Sequence, residues 1–90
     1  MKTLWQPIKE VKVSINPADQ SIVFIHFTND LVLRGDGIIS AIWQVLPATF
    51  DQIFNCIEEE FEGTFIELAA AVTEGLTLLE NYHLVFEESC

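Results

Sequence analysis

Residues 49–82 read TFDQIFNCIEEEFEGTFIELAAAVTEGLTLLENY. Thr49 and Thr64 each stand three residues before a side chain that can reach back, Gln52 and Glu67. In such a capping box the threonine hydroxyl accepts from a backbone N–H of the first turn. The Gln or Glu oxygen accepts from the threonine's own N–H. Each box precedes an apolar run with helical spacing. The helix opened by Thr49 turns Phe50, Ile53, Phe54, Ile57 and Phe61 inward and Asp51, Asn55, Glu58 and Glu59 outward, and Gly63 is expected to close it. The helix opened by Thr64 runs to about Asn81, with Phe65, Leu68, Ala69, Val72, Leu76 and Leu79 on its main apolar face. A second row lies beside that face: Leu68, Ala71, Gly75, Leu78 and Tyr82. Gly75 costs roughly 1 kcal/mol in a helix interior relative to Ala. Two readings of it stand open, close packing of the helix on the sheet or room for a second chain.

Upstream, Asp36 can cap a helix to about Leu46, with Ile38, Ile39, Ile42, Trp43 and Leu46 on one face and Pro47 as its stop. Before it the period changes to two. Glu10 to Ile15 sets Val11, Val13 and Ile15 against Lys12 and Ser14. Asn16-Pro17-Ala18-Asp19 is a turn. Ser21 to Phe27 is nearly all apolar, the pattern of a central strand covered on both faces. Thr28-Asn29-Asp30 turns again, and Leu31 to Arg34 makes a short third strand before Gly35. His83 to Phe86 reads as an extended tail. The expected fold is α+β and winged-helix-like, a three-stranded antiparallel sheet followed by three helices in one domain, 1–90. In a simple meander the first and third strands are edges, with unpaired N–H and C=O groups.

Charge narrows the function. Lys2, Lys9, Lys12 and Arg34 are the only Lys or Arg, and from Gly35 to Cys90 there are eleven acids and none of either. Phosphate backbones and anionic membranes are repelled by such a surface, so neither nucleic acid nor membrane is an expected partner. The acids suit a basic partner or serve solubility. A DNA-reading winged helix would need cations on its second or third helix, and neither has one. No apolar run approaches the ~18 residues of a membrane span. The N-terminus lacks the pattern of a signal peptide, so a cytoplasmic protein is expected. Cys56 and Cys90 read as reduced thiols. His26, His83 and the two cysteines are too scattered for a zinc signature or a Cys–His pair. No catalytic residue, metal or cofactor is expected.

The order of elements, with Ile42-Trp43 and Val45-Leu46 in the first helix, Thr49-Phe50 and Gln52-Ile53 opening the second, Glu59-Glu60-Phe61 ending it and Leu84-Val85 after the third, resembles the PqqD-like proteins. These are leader-peptide recognition elements of ribosomally made, post-translationally modified peptides, with standalone forms in quinone-cofactor and lasso-peptide pathways. The resemblance covers roughly Val11 to Phe86. Many relatives carry Leu-Asn where this chain has Arg34-Gly35-Asp36-Gly37, and a Gly where it has His83. The resemblance implies a non-catalytic peptide chaperone. It would bind the leader of a precursor peptide as an added antiparallel strand on the third strand, and present it to a separate modifying enzyme or leader peptidase. The implied peptide-binding residues are Asp30, Leu31, Val32, Leu33 and Arg34, facing Leu68, Ala71, Gly75, Leu78 and Tyr82. Arg34 can pair an acidic leader residue or stand as a solvated edge guard. The alternative is an adaptor or dimerisation module using the same open edge.

Overall fold

The computed structural model describes residues 3–26 and 31–89. Its elements are β1 (Thr3–Pro7), β2 (Val11–Ile15), β3 (Ile22–His26), β4 (Leu31–Gly35), α1 (Gly37–Val45), β5 (Ala48–Thr49), α2 (Phe50–Glu60), α3 (Phe65–Asn81) and β6 (Val85–Ser89). The class is α+β, with antiparallel strands and three helices. The expected meander is present as one sheet, ordered β2-β3-β4. A second sheet, ordered β5-β1-β6, adds to it. The expected turn at Thr28-Asn29-Asp30 lies outside the described residues.

The helix starts are set locally. Asp36 Oδ1 accepts from Ile38 N at 3.1 Å and Ile39 N at 3.2 Å. Both capping boxes are closed. Gln52 N donates to Thr49 Oγ1, and Thr49 N to Gln52 Oε1 at 2.9 Å. Glu67 N donates to Thr64 Oγ1, and Thr64 N to Glu67 Oε1 at 3.1 Å. The hydrogen bond from the Thr64 backbone, helped by its side chain, holds the Glu67 carboxyl below its ordinary value of 4.5. A depressed carboxylate contributes stability that is full above the unfolded pKa and lost as pH falls through the folded one. Glu67→Gln therefore destabilises at pH 7, and its deficit against wild type shrinks below pH 4.5. Urea melts at pH 7 and pH 3 check this, and an unchanged deficit would contradict it.

Helix α2 stops at Glu60 with Phe61 as its C-cap, two residues before Gly63, which sits in the connection at φ 156°. Gly63 is thus a link residue and not the helix stop expected of it. The end of α3 is a Schellman motif. Leu84 N donates to Leu79 O and His83 N to Glu80 O, both at 2.9 Å. Leu79 and Leu84 supply its buried hydrophobic contact. His83 occupies the left-handed position, φ 59°, where glycine is favoured. We expect His83→Gly to raise stability by about 0.5–1 kcal/mol, the relief of the left-handed strain less the added chain entropy. A denaturant midpoint that falls would contradict this.

The core joins all three helices to both sheets. Ile22 and Phe24 of β3 meet Ile39 and Ile42 of α1, Ile53 and Ile57 of α2, and Val72, Leu76 and Leu79 of α3. Trp43 stands edge-on to Phe24, ring centroids 4.8 Å apart. Three expectations about burial change. On β3, Ile22 and Phe24 are buried but Val23 and Ile25 only half so, because among the described residues no element packs on the outer face. On β2, Val13 is exposed although it points to the inner face beside Phe24. Helix α1 packs on β3 and β4, which leaves the β2 side overhanging. Phe65, placed on the dry face of its helix, is 69% exposed, since it lies in the first turn beyond the body of the core.

The tail and the N-terminus make the second sheet. Strand β6 pairs with β1 over five residues, from Thr3↔Ser89 to Pro7↔Val85. On the other side of β1, Trp5 lies opposite Ala48 and Leu4 opposite Thr49. Thr49 takes an extended backbone (φ −81°, ψ 166°), which lets one residue both pair in the sheet and cap α2. Pro7, with no N–H, falls at the end of its strand. Ile8 N then donates to Leu84 O.

Candidate functional site

Strand β4 is the outer strand of its sheet and pairs, among the described residues, with β3 alone. The ladder runs Ile22↔Gly35, Val23↔Arg34, Phe24↔Leu33 and then Ile25↔Leu31. Val32 is therefore an extra residue, a β-bulge. Bulges bend an edge strand and raise its twist. Leu33 lies on the inner face opposite Phe24, half-buried, and Arg34 lies on the outer face and is exposed. The Arg34 charge reaches the β2–β3 turn. Asp19 is held below its ordinary value first by the hydrogen bond from Ser21 N, and in small part by Arg34.

Gly35 carries β4 into α1. A Cβ there would lie 2.6 Å from Ile39 Cγ2 and 2.7 Å from Ile39 Cβ. Its missing side chain lets α1 start directly under the strand, with Asp36 as cap. Helix α1 in turn packs against α3. Between them opens a groove of about 240 Å³ lined by Asp36, Ile38, Ile39, Ala71, Glu74, Gly75 and Leu78. Its floor is apolar, and Asp36 and Glu74 bring carboxylates to it. One turn of α1 thus joins the free strand to the exposed side of α3.

The expected residues fall into three groups. Ala71, Gly75 and Leu78 line the groove. Val32, Leu33 and Arg34 lie on the strand that leads to it, with Leu31 paired to Ile25. Tyr82 is exposed at the C-cap of α3, one turn past Leu78 and outside the groove lining. Leu68 is buried in the core, which leaves it little surface to offer a ligand. Asp30 lies outside the described residues. Gly75 is itself buried, and its space is filled by α1: a Cβ would meet Ile42 Cδ1 at 2.7 Å and Ile39 Cδ1 at 3.2 Å. The glycine serves close packing, against a helix and not against the sheet.

Ile38, Ile39 and Asp36 are groove residues that the sequence assigns to other tasks. Ile38 and Ile39 sit at apolar helix positions and read as core, and Asp36 reads as a cap. Only the fold shows that the first turn of α1 is also a groove wall. Among the described residues no group of His, Cys, Asp or Glu is arranged to hold a metal ion. No described helix is long and apolar enough to cross a membrane.

No protein-family model matches the chain, and no curated protein sequence matches it. One solved structure is similar in fold, that of TbiB1 in complex with the TbiA(beta) leader peptide. The TM-score is 0.75 over 94% of this chain and 99% of that chain, at 18% sequence identity. At that identity the likeness establishes the fold alone, over nearly the full length of both chains.

Proposed function

We propose that this chain is a PqqD-like leader-peptide recognition element that works in the cytoplasm without catalysing a reaction. It takes the extended leader of a ribosomally made precursor peptide as a new antiparallel strand on the edge of β4. It then presents that peptide to a modifying enzyme or a leader peptidase. The observation that carries the reading is the free edge of β4 running into an apolar groove. The fold likeness to TbiB1, a protein seen with a leader peptide, supports it.

Strand addition divides the labour between backbone and side chains. Each backbone hydrogen bond contributes about 1 kcal/mol net. Ordering a flexible leader costs about 2–5 kcal/mol. A few ladder bonds therefore set register and direction but do not give tight binding. Affinity comes from leader side chains buried against Leu33, Ile38, Ala71 and Leu78. Arg34, on the opposite face of the strand, favours an acidic leader residue beside it.

Calorimetric titration with the leader of this chain's cognate precursor, to be sought among short reading frames near its gene, tests the proposal. The expected result is saturable one-to-one binding with a negative heat-capacity change, the mark of apolar burial. Absence of binding to that leader would overturn it.

A further inference from the structure

The start of α3 carries two large apolar side chains in water. Phe65 is 69% exposed and Ile66 79% exposed. Phe65 rests one edge on Phe54, ring centroids 5.0 Å apart, and Ile66 has no place in the core. The pattern continues along the helix. With 3.6 residues per turn, Ile66, Ala70, Thr73 and Thr77 share one face. All four are exposed and uncharged. Thr73 Oγ1 donates to its own helix at Ala69 O, 2.9 Å away, which satisfies its hydroxyl without a partner. Acids border this strip: Glu62 before it, Glu67 and Glu74 on one flank, Glu80 on the other, all exposed. An apolar centre with a polar rim is the anatomy of a protein interface.

The apolar centre of this surface is separate from the groove, with Glu74 on the border between the two. Leu78 lies 12 positions after Ile66, about 18 Å along the helix axis and roughly 120° around it. A leader seated at Leu78 therefore leaves the strip uncovered.

Charge decides the occupant. The chain has a net charge of −10, and none of its Lys or Arg falls after Arg34. Anionic membranes and nucleic acids are repelled, and a second copy brings the same excess of negative charge. We infer that Phe65 and Ile66 dock into an apolar socket ringed by Lys or Arg on the enzyme that acts on the bound peptide. Naming that partner rests on the function proposed above. The surface thereby makes the chain a bridge, with peptide held at one side of α3 and enzyme at the other.

The test uses the full chain, the leader peptide and the purified enzyme that processes that leader. Binding of enzyme is measured by calorimetry for wild type, Ile66→Ser and Glu62→Lys, at low and high salt. Both positions are exposed and outside the core, so the variants fold. The expected result is at least a tenfold loss of enzyme affinity for Ile66→Ser and a severalfold loss for Glu62→Lys. Leader affinity should stay within twofold, and wild-type enzyme affinity should fall as salt rises. Variants that bind leader and keep full enzyme affinity would overturn this inference alone. A wild-type chain that binds no leader would overturn the proposed function, and with it the identity given to the partner.

Discussion

Gly35→Ala should cost about 3 kcal/mol of folding stability, at the upper end of the range for overpacking a core. A domain of this size holds on the order of 5–10 kcal/mol in total. The added methyl meets Ile39 at its Cβ and Cγ2, 2.7 and 2.6 Å away, and Ile22 Cγ2 at 3.1 Å. Ile39 Cβ is fixed to the helix backbone, so no rotamer change relieves the clash. Either α1 withdraws from the sheet or β4 is displaced. Gly75→Ala is the control. There the close atoms are the ends of side chains, Ile42 Cδ1 and Ile39 Cδ1, which can turn. The alanine also regains roughly 1 kcal/mol of helix propensity. Its net change should stay within about 1 kcal/mol by that offset. Urea melts with equal slopes give both values. A Gly75→Ala variant damaged more than Gly35→Ala would contradict the packing described here.

Leu78→Glu should weaken leader binding by about 10–100-fold while leaving the fold intact. The side chain lines the groove, is 36% exposed and lies outside the buried core cluster, so its loss removes little core. In the complex it would bury against the peptide. Covering the 36% of Leu78 that is still exposed is worth about 0.5–1 kcal/mol, a few-fold in affinity, and the introduced charge supplies the rest. The new carboxylate also joins Asp36 and Glu74 in the same groove, where it must be desolvated on binding. Calorimetry with the cognate leader measures the loss, and a thermal melt measures the fold. Unchanged affinity would remove Leu78 from the site. Equal losses of affinity and stability would mean that it is structural.

The helices were legible because their determinants are local. Asp36, Thr49 with Gln52, and Thr64 with Glu67 act over three residues, and each bond lies where the sequence places it. The meander β2-β3-β4 was legible from period and turns, and with it the free edge of β4. The second sheet was not. Thr3–Pro7 and Val85–Ser89 lie some eighty positions apart and neither alternates cleanly, so only tertiary contact makes them strands. A helix wheel also cannot say where the neighbours end. It placed Phe65 inside because its angle is right, although the first turn of α3 overruns the core. It flagged Gly75 as a close approach, but α1 and not the sheet fills that space. For the same reason half of the groove, Ala71, Gly75 and Leu78, was legible in the sequence, and the half built from Ile38 and Ile39 was not.

In the proposed function an extended peptide adds to β4. Backbone amide shifts and amide exchange on isotope-labelled protein, with and without the leader, test it most directly. Shifts are expected to concentrate at Val32 to Gly35, Ile38, Ile39 and 71–82, with slowed exchange of outward-facing β4 amides. Shifts and protection confined to β2 or β6, leaving β4 unchanged, would contradict it.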